Sequence, residues 1–220
     1  MPSERVIPEM AATIPIRGAA EWLALSDDLL AGLVHALNNR VTALSVCAEL
    51  ASLGDEQMLE DGVLIAEVAR LQRTGALIGL LPARGHASEA LELAPALEEA
   101  IAVHAHHPRM RAIECTTERE DAVQPVRAPR WALLRLLLFV VDAAKAGAQD
   151  AGRDAVTLRL SSDDQSVRVR ALARASEGAY AGEMATLCGG ALAREGEELV
   201  LTLPSLSELR RRERMGLFPG

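Results

Sequence analysis

The sequence predicts an α+β protein in which a helical hairpin precedes a two-layer α/β sandwich. Two long stretches of helical periodicity occupy the first third of the chain and are separated by the pair Gly54 and Asp55. The remainder alternates helical stretches with short segments of period two, which are typical of half-buried strands. Aromatic residues make up only 2% of the chain, so its core has to be built from leucine, valine, isoleucine and alanine.

The hairpin is expected at residues 18–83, after an irregular leader over residues 1–17. Its helices are predicted over residues 18–53 and 56–81, with the glycine and aspartate between them as the turn. Each helix carries one apolar stripe, which comprises Leu30, Leu33, Val34, Leu37, Val41, Leu44 and Ala48 on the first, and Leu64, Val68, Leu71, Gly75 and Ile78 on the second. Two hairpins would bury these stripes in a four-helix bundle, which predicts a homodimer. A bundle within one chain, or docking on the second domain, is the alternative.

The second domain is expected at residues 89–206, after a linker over residues 82–88 that combines proline, glycine and serine. Its predicted elements are a helix over 93–106, a strand over 112–116, an apolar helix over 129–148, strands over 155–160 and 166–172, a helix over 182–187 and a strand over 199–203. Asp163 and Asp164 predict a hairpin turn between the two central strands. Residues 207–220 are expected to be a tail that starts as a basic, helical or frayed segment.

Composition and charge exclude several classes of partner. The net charge of −8 argues against nucleic acid and anionic membranes, because both attract clustered positive charge. No apolar run approaches the roughly 20 residues that span a bilayer, and the first residues lack the apolar core of a signal peptide. A cytoplasmic location is therefore expected. The three cysteines are far apart in sequence and predict buried thiols, and the histidines and cysteines suggest no metal site.

His35 is the candidate reactive residue of the sequence. A helix advances about 100° per residue, and this places His35 almost opposite the apolar stripe of the first helix. Asn39 lies one turn later on the same outer face, and Thr42 is close to it. An exposed imidazole is a competent nucleophile toward phosphoryl groups. The alternative is a surface histidine without a role.

The letters of residues 34–41, VHALNNRV, resemble the H-box of bacterial sensor histidine kinases, commonly H-E-L-x-N-P-L, with D as an alternative to E, or H-E-L-N-N-x-L. The order of hairpin, linker and α/β layer extends the resemblance to about residues 20–205. It implies a catalytic domain of the histidine-kinase ATPase type and makes His35 the phospho-accepting residue. It also implies that Asn39 orients the phosphoryl group or a hydrolytic water. Asn38 and Thr42 are expected to contact the partner.

The departures from the family pattern concern ATP. Ala36 stands where the family has an acid that accepts the imidazole proton. Leu138 and Asp142 replace the two asparagines that hold magnesium and phosphate in the family, and leucine cannot ligate magnesium. No D-x-G-x-G box follows the strand over residues 166–172, and the glycine-rich lid is missing. The sequence therefore predicts no ATP binding and no cofactor of its own, and magnesium would come with the partner.

The resemblance implies a phosphorelay protein that carries a phosphoryl group on His35 to or from the receiver domains of response regulators. A histidine phosphotransferase is favoured because the acid and the ATP boxes are lost together. An ATP-dependent histidine kinase with divergent boxes is one alternative. A non-catalytic scaffold that binds a regulator is the other, and only the presence of His35 speaks against it.

Overall fold

A computed structural model describes residues 16–53, 62–81, 87–120, 122–173 and 178–216. The elements in these ranges are α1 (Ile16–Ser52), α2 (Val63–Ile78), β1 (Ser88–Leu91), α3 (Leu93–His104), β2 (Glu114–Arg119), β3 (Val126–Pro129), α4 (Arg130–Asp150), β4 (Ala155–Ser162), β5 (Ser166–Leu172), α5 (Ala179–Leu187), β6 (Ala191–Glu195), β7 (Glu198–Pro204) and α6 (Leu206–Arg214). The hairpin of α1 and α2 precedes a mixed α/β domain, which confirms the predicted fold class.

Helix α1 is a continuous helix of 37 residues and packs along α2. The Ser26 hydroxyl donates to the carbonyl oxygen of Leu23 at 3.1 Å and is satisfied inside the helix. The predicted turn at Gly54 and Asp55 lies outside the described residues. The same is true of most of the predicted leader and linker.

The main sheet has five strands in the order β2-β4-β5-β7-β6. Only β2 and β4 run parallel, and the other pairs are antiparallel. The predicted hairpin between β4 and β5 is confirmed, because the Asp163 carboxylate accepts hydrogen bonds from the backbone N–H groups of Gln165 and Ser166 at 2.9 and 2.7 Å. A separate antiparallel pair joins β1 and β3.

One face of this sheet is covered by α4, and α3 and α5 pack beside that helix. The strand residues that point inward alternate along each strand: Val156, Leu158 and Leu160 on β4, Val167, Val169 and Ala171 on β5, and Leu199, Leu201 and Leu203 on β7. Helix α4 is apolar on most sides because it is enclosed by the sheet and by the other helices, and Leu133, Leu136 and Leu137 are completely buried.

Three strands were missed in the sequence. The strands β1 and β3 have four residues each, and β6 has five residues of which most are exposed, so none shows a readable alternation.

The bounds of three other elements differ from their prediction. The strand predicted over residues 112–116 is found at Glu114–Arg119, because polar residues dominate this edge strand. The helix predicted over 182–187 begins earlier, at Ala179. The basic segment after residue 206 is a helix, since Ser205 caps it and accepts a hydrogen bond from the Glu208 N–H.

Candidate functional site

His35 lies on the exposed side of α1, as the helical wheel predicted. The side-chain amide nitrogen of Asn39, one turn further on, is 3.2 Å from Nε2 of His35. An amide nitrogen can only donate, so this contact is a hydrogen bond in the tautomer whose Nε2 carries the lone pair. In that tautomer the nucleophilic nitrogen is the one that faces Asn39. It becomes available for attack when the amide moves aside.

Asn38 and Thr42 are also exposed and complete one polar surface with His35 and Asn39. Asn38 and Asn39 follow His35 by three and four residues, and Thr42 follows it by seven, which places the four on one side of the helix. The Thr42 hydroxyl donates to the carbonyl oxygen of Asn38 at 3.0 Å, so its proton is already used within the helix. Thr42 can therefore contact a partner through its methyl group and can accept a hydrogen bond on its hydroxyl oxygen.

An ion triad that the sequence analysis missed joins the two helices of the hairpin. The buried carboxylate of Glu67 accepts from Arg40 of α1 at 3.2 Å and from Arg70 on its own helix. The hydrogen bond from Arg70, and then that from Arg40, hold the pKa of the Glu67 carboxyl below its usual range. Two guanidinium groups share one carboxylate, so a net positive charge remains on the hairpin close to His35.

The α/β domain touches α1 one turn before His35. The segment that links α3 to β2, residues 105–113, is called the α3–β2 corner below. A Cβ atom on Gly32 would lie 1.7 Å from the carbonyl oxygen of His106, so the corner sits directly on the backbone of α1. Asp28 strengthens this contact, because its carboxylate pairs with Arg109 and lies 3.4 Å from Nε2 of His107. In the sequence, this contact was indicated only by Gly32, a glycine inside a helical pattern, which is typical of a close approach by another segment.

Aromatic side chains join the start of α1 to the same domain. The ring of Trp22 stacks on Tyr180 with centroids 5.9 Å apart and lies 6.3 Å from Phe139. The guanidinium of Arg135 is 4.3 Å above the Trp22 ring and donates to the Tyr180 hydroxyl at 2.8 Å. The Glu21 carboxylate accepts from the Tyr180 backbone N–H at 3.1 Å. The first turns of α1 are therefore anchored on α4 and α5.

Leu138 and Asp142, for which the resemblance implied lost magnesium ligands, both have other surroundings in the structure. Leu138 is completely buried in the core. Asp142 lies 3.0 Å from Nε2 of the fully buried His104, whose ring stacks on His107 at 5.1 Å. A cavity of about 550 Å³ adjoins Asp142, and α1 contributes Glu21 and Asp28 to its wall. Within the described ranges, no three histidine, cysteine or acidic side chains converge as a metal site.

The described part of the chain contains no helix with the length and apolar character needed to cross a bilayer. No protein-family model matches the chain, and no match was found among curated proteins.

Solved structures with a similar architecture do exist. The cytoplasmic segment of the histidine kinase QseC is 12% identical, with a TM-score of 0.41 over 54% of this chain and 78% of that one. The Acinetobacter baumannii histidine kinase AdeS is 13% identical, with a TM-score of 0.42 over 78% and 96%. A bacterial phosphotransferase is 14% identical, with a TM-score of 0.40 over 82% and 95%.

The chain is thus similar in general architecture to two histidine kinases and to a bacterial phosphotransferase. At these identities and TM-scores the likeness is one of shape, so the chemistry has to be read from this chain's own side chains.

Proposed function

We propose that this chain is a phosphorelay protein of two-component signalling that carries a phosphoryl group on His35 to or from the receiver domains of response regulators. The observation that carries the proposal is the exposed imidazole of His35, whose Nε2 lies 3.2 Å from the side-chain amide nitrogen of Asn39. A nucleophile with its lone pair on the accessible nitrogen and a hydrogen-bond donor beside it is what phosphoryl transfer requires of the histidine side.

In the forward direction the lone pair of His35 Nε2 attacks the phosphorus of an aspartyl phosphate on the receiver. The bond between phosphorus and the aspartate oxygen breaks, and the carboxylate leaves with the electron pair. Asn39 releases Nε2 and donates to a phosphoryl oxygen instead, which orients the group for in-line transfer. The receiver brings the magnesium ion and acidic residues of this step, so the missing acid at Ala36 does not prevent it. Asn38 and Thr42 border the reacting surface and would contact the receiver.

We further propose that the protein acts as a homodimer. An apolar row with alternating spacings of four and three residues runs along α1 through Leu30, Val34, Leu37, Val41, Leu44 and Ala48. Within one chain this row is not covered, since Val34 and Val41 are 46% and 48% exposed. On α2, Ile65 and Val68 are 74% and 39% exposed. Rows with this repeat are typical of helical bundles, and a second hairpin would bury them.

We also propose that the protein binds no magnesium-ATP. Leu138 offers no ligand atom and lies in the core, and the Asp142 carboxylate is held by His104. Helix α1 lines the cavity next to Asp142, so the space beside that residue is shared with the hairpin. These three features favour a phosphotransferase over the alternative of an ATP-dependent kinase.

The test compares two phosphoryl donors on the purified full chain. Receiver domains labelled with acetyl phosphate should transfer the phosphoryl group to the wild type but not to His35→Gln, and labelled magnesium-ATP should transfer none. Label that arrives from ATP and not from any receiver would establish the kinase alternative. A chain that binds a receiver tightly but takes label from neither donor would be a scaffold.

A further inference from the structure

His106 of the α/β domain packs on α1 one turn before His35, at the start of a stripe of three residues. Gly32, Ala36 and Arg40 follow one another at four-residue intervals and therefore line one side of the helix. The backbone of His106 lies against the first of them, because a Cβ atom on Gly32 would be 1.7 Å from the His106 carbonyl oxygen. Burial, and then the charge of Arg40 at the other end of the stripe, lower the pKa of the His106 imidazole.

His106 thus lies against α1 at Gly32, one turn before the phosphate-accepting residue of the proposed function. Its lowered pKa keeps the ring neutral at pH 7, where it can form hydrogen bonds without adding a charge. His106 is half-buried and belongs to the α/β domain. The surface one turn before His35 is therefore built from both domains of the chain.

Arginine side chains outnumber carboxylates among the ion pairs of this contact and of the ion triad, although the chain as a whole carries −8. The ion triad leaves one uncompensated guanidinium among Arg40, Arg70 and Glu67. Arg111 is exposed on the α3–β2 corner, and Arg109 beside it shares its charge with Asp28. A phosphorylated receiver presents a phosphoryl group and the carboxylates that bind its magnesium ion. Charge complementarity thus favours this partner on this surface.

We propose that the α3–β2 corner, through His106 and Arg111, forms part of the surface on which a phosphorylated receiver domain docks, so that partner recognition depends on both domains of the chain. This inference rests on the proposed function of His35. It assigns no covalent role to the corner, because His106 and Arg111 act on the encounter and on the orientation of the receiver rather than on the reacting bonds.

The test separates docking from chemistry by means of two donors. Phosphoramidate is a small donor that phosphorylates an exposed histidine without a docking surface. Receiver domains phosphorylated with acetyl phosphate are screened as a panel, and the one that transfers fastest to the wild type serves as the second probe. The variants are His106→Ala, which keeps the backbone contact with Gly32, and Arg111→Gln. The control is Arg210→Gln, which removes an exposed charge from α6, an element that packs against β3.

We expect each corner variant to lower kcat/KM for transfer from the receiver by about tenfold, whereas labelling by phosphoramidate and all rates of the control stay at the wild-type level. Equal losses with both donors would overturn the inference, because the residues would then act on His35 or on the fold. Unchanged transfer from the receiver would overturn it as well, while the proposed role of His35 would stand. If His35→Gln still accepted label from the receiver, the proposed function would fall, and the inference with it.

Discussion

Gly32 of α1 and His106 of the α/β domain are in such close contact that a Cβ atom on the glycine would lie 1.7 Å from the histidine carbonyl oxygen. No real side-chain carbon sits at that distance from an oxygen, so the contact exists only because position 32 is glycine. It lies one turn before His35 and therefore sets how the two domains meet beside that residue.

The first prediction concerns Gly32→Ala. In an exposed helix this change stabilises by about 1 kcal/mol, but here the methyl group has to push the corner off α1. We expect a net loss of about 1–3 kcal/mol in the free energy of unfolding, measured by urea denaturation. The control is Gly182→Ala on α5, because a Cβ atom added there would have none of the described neighbouring groups within 4 Å. The control should be neutral or stabilised, and a stabilised Gly32→Ala would refute the close contact.

The second prediction concerns the pair His35 and Asn39. Asn39→Ala removes the amide that orients the phosphoryl group, so transfer from a receiver should become about tenfold slower without being lost. His35→Gln should abolish it, because glutamine has no nucleophilic nitrogen. Both variants should keep the wild-type circular dichroism spectrum, since the two side chains are exposed. Wild-type rates in Asn39→Ala would show that the hydrogen bond has no role in transfer.

The third prediction concerns the dimer. Val41 belongs to the apolar row of α1, whereas Val46 has the same exposure of 48% but lies outside that row. Val41→Glu should give monomers in sedimentation experiments, because it would bury a carboxylate without a partner in the bundle. Val46→Glu should leave the dimer intact. A wild-type chain that sediments as a monomer, or equal dissociation of both variants, would contradict the proposed interface.

The fourth prediction concerns pH and Glu67. Arg70 and Arg40 lower the pKa of this carboxyl from its ordinary value of 4.5. The unfolded chain binds the proton more readily, so the stabilising contribution is fully present above about pH 4.5 and is lost as the pH falls through the lowered pKa. Glu67→Gln should therefore be less stable than the wild type at pH 7, and the difference should shrink in acid. The exposed Glu49→Gln serves as the control, and a difference that does not change with pH would show that the charge of Glu67 is not what stabilises the hairpin.

Local patterns predicted much of this protein. Helical periodicity placed α1, α2, α3 and α4, because amphipathic stripes repeat over many residues and do not depend on their neighbours in space. The short strands β1, β3 and β6 were not predicted, because four or five residues show too little alternation and such strands are defined by their pairing with other strands. The exposure of His35 was likewise predicted from its angle on the helix. The predicted burial of Val34 and Val41 is not tested by a single chain.

The sequence by itself determined the fold class, the amphipathic hairpin and the exposed imidazole of His35 beside Asn39, because all three follow from residue type and spacing along one helix or strand. Only the tertiary structure decided what surrounds that imidazole. Its contacts join residues from different elements. His106 packs on Gly32, Glu67 pairs with both Arg40 and Arg70, and Asp142 pairs with His104. Their partners are set by packing, and packing leaves no periodic signal in the sequence.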